Sequence, residues 1–315
     1  PRWPNLVVVD KANGGKADAL NAGITIARSP LFCAMDADSV LETDALLRAT
    51  LPFVDDPERV VVVGGAIRVA NGSTFRDGRV LDVRLPRQLL PLIQIVEYSR
   101  AFVIARVAWS GLNALSLVSG AFGVFDREIV LAVGGYRRDT VGEDLEIVVR
   151  IHRYMREHGR PYRIAFSPEP VCWTEAPSRL RDMRVQRVRW QRGALETYFN
   201  HARLTFNRRY GRLGLLAMPH ILIVDVAGPL IEVAGYILLP LLWLSGLIHM
   251  GFFVAFLALT ILLGLVISIG ALILEEFCLR RHASASALLK LCGVAVLENI
   301  GYRQLANIWR IIGWY

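Results

Sequence analysis

Two long apolar stretches late in the chain, residues 214–245 and 251–274, limit what it can fold into. Each exceeds the roughly 20 residues a helix needs to cross the hydrocarbon of a bilayer. A membrane region is therefore expected from residue 214 to 315, with at least two spans. Composition agrees: 54% of the 315 residues are hydrophobic and the mean hydropathy is +0.40, well above an ordinary soluble domain. Before residue 200 the apolar runs are short and charges frequent, which reads as one globular domain. Residues 201–213 carry Arg203, Arg208, Arg209 and Arg212 and read as a basic amphipathic helix at the interface. Arg208, Arg209 and Arg212 before the first run, with Arg280 and Arg281 after the second, put both ends of the hairpin in the cytoplasm. The expected location is a cell membrane, crossed more than once, with the globular domain cytoplasmic.

Pro219, Asp225, Pro229 and Glu232 interrupt the first run. Either these acids face a protein interior, or residues 219–225 lie at the interface and the span starts later. Residues 288–302 are a tilted span or an interfacial helix; the sequence leaves both open. The net charge of +8 fits anionic lipid and an anionic substrate, and no nucleic-acid signature accompanies it. Cys33, Cys172, Cys278 and Cys292 have no CxxC or His partner at zinc spacing and read as small buried hydrophobes.

In the globular part, strand-like runs at 6–10, 31–35, 60–69, 117–125 and 171–174 alternate with helical patterns at 16–27, 89–107, 127–133, 144–158 and 180–199. Thr43 is placed to cap a helix through residue 52, glycines 64 and 65 interrupt their strand, and 71–85 reads as a loop. Such alternation predicts an α/β domain with a mostly parallel sheet. Ligands of such sheets bind beyond the carboxyl ends of the strands, where Asp10 and the pair Asp36 and Asp38 fall.

Several groups can carry chemistry. Asp36 and Asp38, at i and i+2 after a strand, offer hard oxygens for Mg²⁺ or Mn²⁺ bridging a diphosphate; a surface turn would look the same. Glu143 and Asp144 open a helix, where acids favour the helix dipole or serve as a general base. Gln186, Arg189 and Trp190 lie together on one helix, offering a cation for phosphate and an indole for a sugar face. The other reading of that helix is a basic face lying near a membrane. Lys16 after Gly14 and Gly15 can reach a phosphate, or the glycines make a tight turn with Lys16 in solvent. Glu97, Asp126 and Asp139 read as surface or cap groups.

The order Asn13-Gly14-Gly15-Lys16, Asn21, then Asp36-Ala37-Asp38, Ser119-Gly120, Glu143-Asp144, Gln186-x-x-Arg189-Trp190 and apolar spans resembles the processive family-two glycosyltransferases. These build cellulose, chitin, hyaluronan and poly-N-acetylglucosamine. The resemblance covers nearly the whole chain. It implies a GT-A (Rossmann-like) domain followed by transmembrane helices, and inverting transfer of glucose or N-acetylglucosamine from a UDP-sugar to a growing β-linked polysaccharide. Asp36 and Asp38 would hold the metal and donor diphosphate, with Lys16 near the nucleotide. Gly120 would lie in the acceptor region, Asp144 would be the base beside Glu143, and Gln186, Arg189 and Trp190 would bind the diphosphate and polymer end. The details from Ser119 to Trp190 look most like bacterial poly-N-acetylglucosamine synthases. An accessory membrane subunit fits this picture.

Two departures stand out. Gly142 replaces the Thr usual before the two acids. The family's first strand and early uridine-binding Asp would precede Pro1, so the chain reads as a piece of a longer protein. The rival readings are a transferase that glycosylates a lipid once, and a non-catalytic receptor or scaffold on the same fold.

Overall fold

The structure, a computed structural model, describes residues 5–279 and 284–315. Arg280 and Arg281, on which the expected orientation partly rests, lie outside the described residues.

The central sheet has five strands in the order β1 (Leu31–Met35), β6 (Phe122–Asp126), β3 (Val60–Val69), β7 (Arg163–Thr174), β2 (Val40–Leu41). Only β3 and β7 pair in parallel. β6 runs antiparallel to both β1 and β3, and β2 runs antiparallel to β7. The sheet is thus mixed, not mostly parallel as the alternation suggested, because β6 lies between β1 and β3 and runs against both. Its two faces are both apolar. Val62, Phe125 and Ile164 pack against Ile24, Ile129, Ile147, Val148 and Ile151. Val63, Phe122, Val124 and Ala165 pack against Ala45, Ala49, Phe53 and Phe102. The covering helices are α1 (Gly15–Ile26), α2 (Ala45–Asp55), α3 (Leu89–Ser99), α4 (Arg106–Gly111), α5 (Arg127–Ala132) and α6 (Glu143–Glu157). A π-helical stretch, Arg100–Ala105, joins α3 to α4.

Several local expectations are corrected. Residues 6–10 form no strand; Leu6, Val7 and Val8 are each more than 65% exposed. A β-branched run becomes a strand only by pairing, and no described strand pairs with it. Asp10 is therefore not at a strand end. Asp44, not Thr43, precedes α2, and neither side chain caps it. β3 runs on through glycines 64 and 65, but its pairing with β7 shifts register between Gly65 and Ala66, so the expected interruption is a local irregularity of the ladder; a Cβ at Gly64 would lie 3.1 Å from Val118 and 3.3 Å from Phe166, so a small residue lets the strand be covered closely. The expected loop at 71–85 contains a hairpin, β4 (Thr74–Arg76) with β5 (Arg79–Asp82). Its turn residues, Asp77 and Gly78, both take positive φ, as a type I′ turn requires. Asp126 caps α5 through Ile129 N at 3.0 Å, as expected.

After α7 (Leu180–His201), residues 201–213 are not one amphipathic helix. They make two 3₁₀ turns, Ala202–Leu204 and Arg208–Tyr210, separated by Phe206 at a φ of 58°. Then π-helical Leu213–Ala217, α8 (Met218–His220) and π-helical Ile221–Val226 lead into α9 (Gly228–Leu244). Met218, Ile221 and Val226 are buried with Leu195 and Leu204, so this first part packs on the globular layer. Between Leu213–Val226 and Gly228–Leu244 the path bends by 44°. Two helical stretches, Met250–Cys278 and Ala285–Ile312, are long and apolar enough to cross a membrane, and the bent pair would make a third. The first lies within α10 (Met250–Leu279). The second comprises α11 (Ala285–Leu297), a kink at Ile300 and Gly301, and α12 (Arg303–Ile312), extending well beyond 288–302.

The acids in these helices are paired. Glu232 receives bonds from Arg303 at 2.7 and 3.0 Å and from Asn307 at 2.6 Å. Glu275 meets Arg68 at 3.2 Å and Ser99 Oγ at 2.5 Å, and Glu298 pairs with Arg100. The last two pairs tie α10 and residues 298–302 to the globular part. Beside them Leu92, Ile93 and Val96 of α3 share one apolar cluster with Leu272, Leu291, Val294 and Tyr302.

Candidate active site

Four segments converge at the carboxyl end of β1. β1 ends at Met35, and the turn after it presents Asp36 half-buried and Asp38 exposed. α1 begins at Gly15 (φ 83°), with Asn13 Oδ1 accepting from Gly15 N at 3.0 Å. That geometry aims Lys16 across the cleft. Its ammonium pairs with Asp36, donates to Gly120 O at 3.1 Å and lies 3.7 Å from Glu143 Oε1. Gly120 N in turn donates to Asp144 Oδ2 at 3.2 Å, and Asp144 Oδ1 accepts from Leu145 N at 2.8 Å. A Cβ at Gly120 would sit 2.8 Å from Lys16 Nζ and 3.4 Å from Asp144 Oδ2, so glycine lets the cation and the acid close on the same peptide.

Lys16, Asp36, Gly120, Glu143 and Asp144 are therefore one cluster. Lys16, Gly120, Glu143 and Asp144 line a small cavity with Leu20, Val118, Phe125 and Tyr136, and Asp36 joins them through its pair with Lys16. Burial raises the Glu143 carboxyl above its ordinary value, and Asp144 adds to this; Lys16 and Arg189 pull it back. Arg189, exposed on α7, thus reaches Glu143 electrostatically although no hydrogen bond or ion pair holds it among the described residues. Burial, then Asp144 and Glu143, also push the Tyr136 phenol up.

Asn21 belongs to the motif order but its role had no signal in the sequence, and Arg106, Gly193 and Glu196 had none at all. Asn21 Nδ2 donates to Tyr136 O at 2.8 Å and its Oδ1 accepts from Tyr136 N at 2.7 Å, which fixes the wall of the cavity. Arg106 is half-buried with its guanidinium 3.8 Å from the Phe102 ring centre; desolvation lowers it to about 10, with the Asp144 charge opposing. Gly142 and Gly193 touch backbone to backbone: a Cβ on Gly142 would lie 2.6 Å from Gly193 Cα. This contact explains glycine where the family's usual Thr stands. Glu196 Oε2 accepts from Thr140 Oγ1 and Val141 N, both at 2.9 Å, and pins the same junction of α6 and α7.

Gln186 and Trp190 lie on α7, and no hydrogen bond joins them to the acid cluster among the described residues. Gln186 Oε1 is buried without a partner. Trp190 is 43% exposed, and one of its ring faces is covered by Arg187 at 4.7 Å. Arg187 pairs with Glu97 in a largely buried contact, so Glu97 is not the surface group expected.

Among the described residues no three His, Cys, Asp or Glu side chains gather as a metal cluster. Two carboxylates at a strand end still suit Mg²⁺ or Mn²⁺, which take hard oxygens from one or two acids and complete their shell with phosphate and water. Asp38 is exposed and unengaged by any hydrogen bond or ion pair among the described residues, and Asp36 is shared with Lys16. The donor set fits.

A mixed sheet with acids gathered at a strand end, followed by apolar helices, defines a GT-A-like glycosyltransferase domain. Residues 31–273 match the family described as glycosyl transferase family group 2, and the chain belongs to it. It is 30% identical over 193 residues to a poly-β-1,6-N-acetyl-D-glucosamine synthase of Staphylococcus aureus, covering 61% of this chain and 42% of that protein. With the synthase of the same description from Staphylococcus epidermidis the identity is 28% over 186 residues, 59% of this chain and 40% of that one. The matches thus span less than half the length of these relatives. A mannosyltransferase of Pyrobaculum calidifontis, solved with GDP-mannose and Mn²⁺, superposes with a TM-score of 0.48 at 18% identity, over 95% of this chain and 65% of that one.

Proposed function

We propose that the chain is the catalytic and membrane-embedded part of an inverting transferase. It moves glucose or N-acetylglucosamine from a UDP-sugar to the end of a growing β-linked polysaccharide at the cytoplasmic face of a bacterial membrane. The observation that carries the reading is the Asp144 carboxylate, held by Gly120 N and Leu145 N beside Lys16 and Glu143.

In this reading the acceptor hydroxyl loses its proton to Asp144 as its oxygen attacks the anomeric carbon. The bond from that carbon to the diphosphate oxygen breaks, UDP leaves, and the configuration inverts. Negative charge grows on the leaving diphosphate, so preorganised cations are worth most there. Lys16 and Arg189 are the cations at hand, and Gly120 bounds the acceptor side. Asp36 and Asp38 would hold Mg²⁺ or Mn²⁺, which would neutralise the diphosphate. Trp190 and Gln186 would receive the polymer end. Membrane lipid surrounds the apolar helices, and an accessory subunit would dock on them.

The test uses the protein in membranes, a panel of labelled UDP-sugars and either cation, with incorporation into high-mass product as the readout. One sugar should enter polymer, and Asp144→Asn should lower the rate on the order of 10²- to 10⁴-fold. Label confined to a lipid extract would support single transfer instead. Absence of transfer from every donor would refute the enzymatic reading.

A further inference from the structure

Arg187 stands between two residues of the motif read above, Gln186 and Arg189, yet it faces neither the acid cluster nor solvent. Its side chain is 11% exposed and that of Glu97 on α3 is 19% exposed. The guanidinium pairs with Glu97 and lies against Met183 Sδ at 3.6 Å, while its Nε is buried without a partner. Its carbon sits 4.7 Å from the Trp190 ring centre. A planar cation stacked on an indole is attracted by the ring quadrupole, more strongly when desolvated. Here the stack is also anchored from outside the helix. Glu97 belongs to another element, α3, so the stack is held by a residue outside α7. One face of Trp190 is thus filled and the side chain's rotation is restricted, while the ring remains 43% exposed.

We infer that Arg187, anchored by Glu97, is a positioning residue that fixes the Trp190 indole as a one-sided platform for the sugar at the polymer end. This rests on the reading of Trp190 as an acceptor contact. Arg187 touches neither sugar nor phosphate; it acts through Trp190. It removes one side of the ring from competition and spares the acceptor the entropy of ordering the indole. A lysine replaces it only in part, because an ammonium keeps the charge but has no plane to lay on the ring.

The experiment measures initial rates in membranes with oligomers of β-linked N-acetylglucosamine as acceptor, varying donor and acceptor separately. Arg187→Met should raise the acceptor KM about five- to thirtyfold, the range from an exposed to a desolvated cation–π contact, with the donor KM unchanged. Arg187→Lys should be intermediate, and Glu97→Gln should shift the acceptor KM in the same direction. In a Trp190→Ala background, Arg187→Met should add nothing. If Arg187→Met does not accumulate in membranes, Arg187→Lys carries the comparison. A raised acceptor KM in Trp190→Ala with no change in Arg187→Met or Arg187→Lys would overturn the inference alone. So would an effect of Arg187→Met that persists without Trp190, or one that raises both KM values equally. An unchanged acceptor KM in Trp190→Ala would refute the platform reading itself, and this inference with it.

Discussion

The contact between Gly142 and Gly193 invites a single-methyl test. In Gly193→Ala the new Cβ would lie 2.7 Å from Gly142 Cα and 3.0 Å from Gly142 N, both backbone atoms. Ordinary contact begins near 3.4 Å, so α6 and α7 must separate by about 0.7 Å or tilt. Alanine in mid-helix gains up to about 1 kcal/mol over glycine by propensity. Overpacking a tight contact costs about 1–3 kcal/mol. The balance is a net loss of about 0–2 kcal/mol, so the melting temperature should fall modestly. Activity should not be spared. Glu143 and Asp144 occupy the first turn of α6, directly after Gly142. A displacement approaching 1 Å in a reacting group costs on the order of 10²-fold in rate. Sugar incorporation at saturating donor should therefore drop about 10- to 100-fold in Gly193→Ala, and further in Gly142→Thr, which adds bulk at the 2.6 Å contact. Thermal unfolding in detergent, followed beside the rate, separates the two effects. Wild-type turnover in Gly193→Ala would refute the argument that this contact sets the position of the acids.

Glu143→Gln probes the buried acid. Because the folded-state pKa is raised, the folded state binds the proton more tightly, and stability falls as pH rises above the ordinary carboxylate range. The variant should melt higher than wild type at pH 7, and the gain should disappear as pH drops toward 4.5, the group's ordinary value; a pH-independent difference would contradict this. Chelation should abolish incorporation and Mn²⁺ or Mg²⁺ restore it, with Asp38→Ala requiring more cation for half-maximal rate. Burial pushes the Cys33 thiol to about 11 and that of Cys172 to about 12, so maleimide at pH 7.5 should leave both unlabelled in the folded protein, as peptide mapping can check.

Much of the helical layer is legible because its periodicity is local. α1, α6 and α7 fall within two residues of the runs expected for them. Strands were harder, since pairing is decided elsewhere in the chain. Residues 6–10 carry the right side chains and find no described partner, whereas β7 extends back to Arg163 because β3 offers it a parallel edge. The 74–82 hairpin turns on Asp77-Gly78, a turn signal that a polar, Gly- and Arg-rich stretch masks because its flanking residues lack the apolar alternation of strands. At the candidate site, the clustering of Lys16, Asp36, Gly120, Glu143 and Asp144 follows the motif order. The roles of Asn21, Arg106, Glu97 and Gly193 do not. Asn21, Glu97 and Gly193 act through contacts spanning many residues of sequence, which no spacing rule encodes, and Arg106 is placed by the fold of its whole segment.

The cluster shared by α3 and the late helices bears on how the protein can be handled. Hydropathy draws a boundary near residue 213, but Leu92, Ile93 and Val96 bury themselves against Leu272, Leu291 and Val294 beyond it. Trimming the gene after the last arginine before that boundary would bare this apolar face and strip Arg68 and Arg100 of their acids. The excised piece would be a poor candidate for expression in a detergent-free lysate, and inclusion bodies from it would say nothing about the integrity of the intact enzyme.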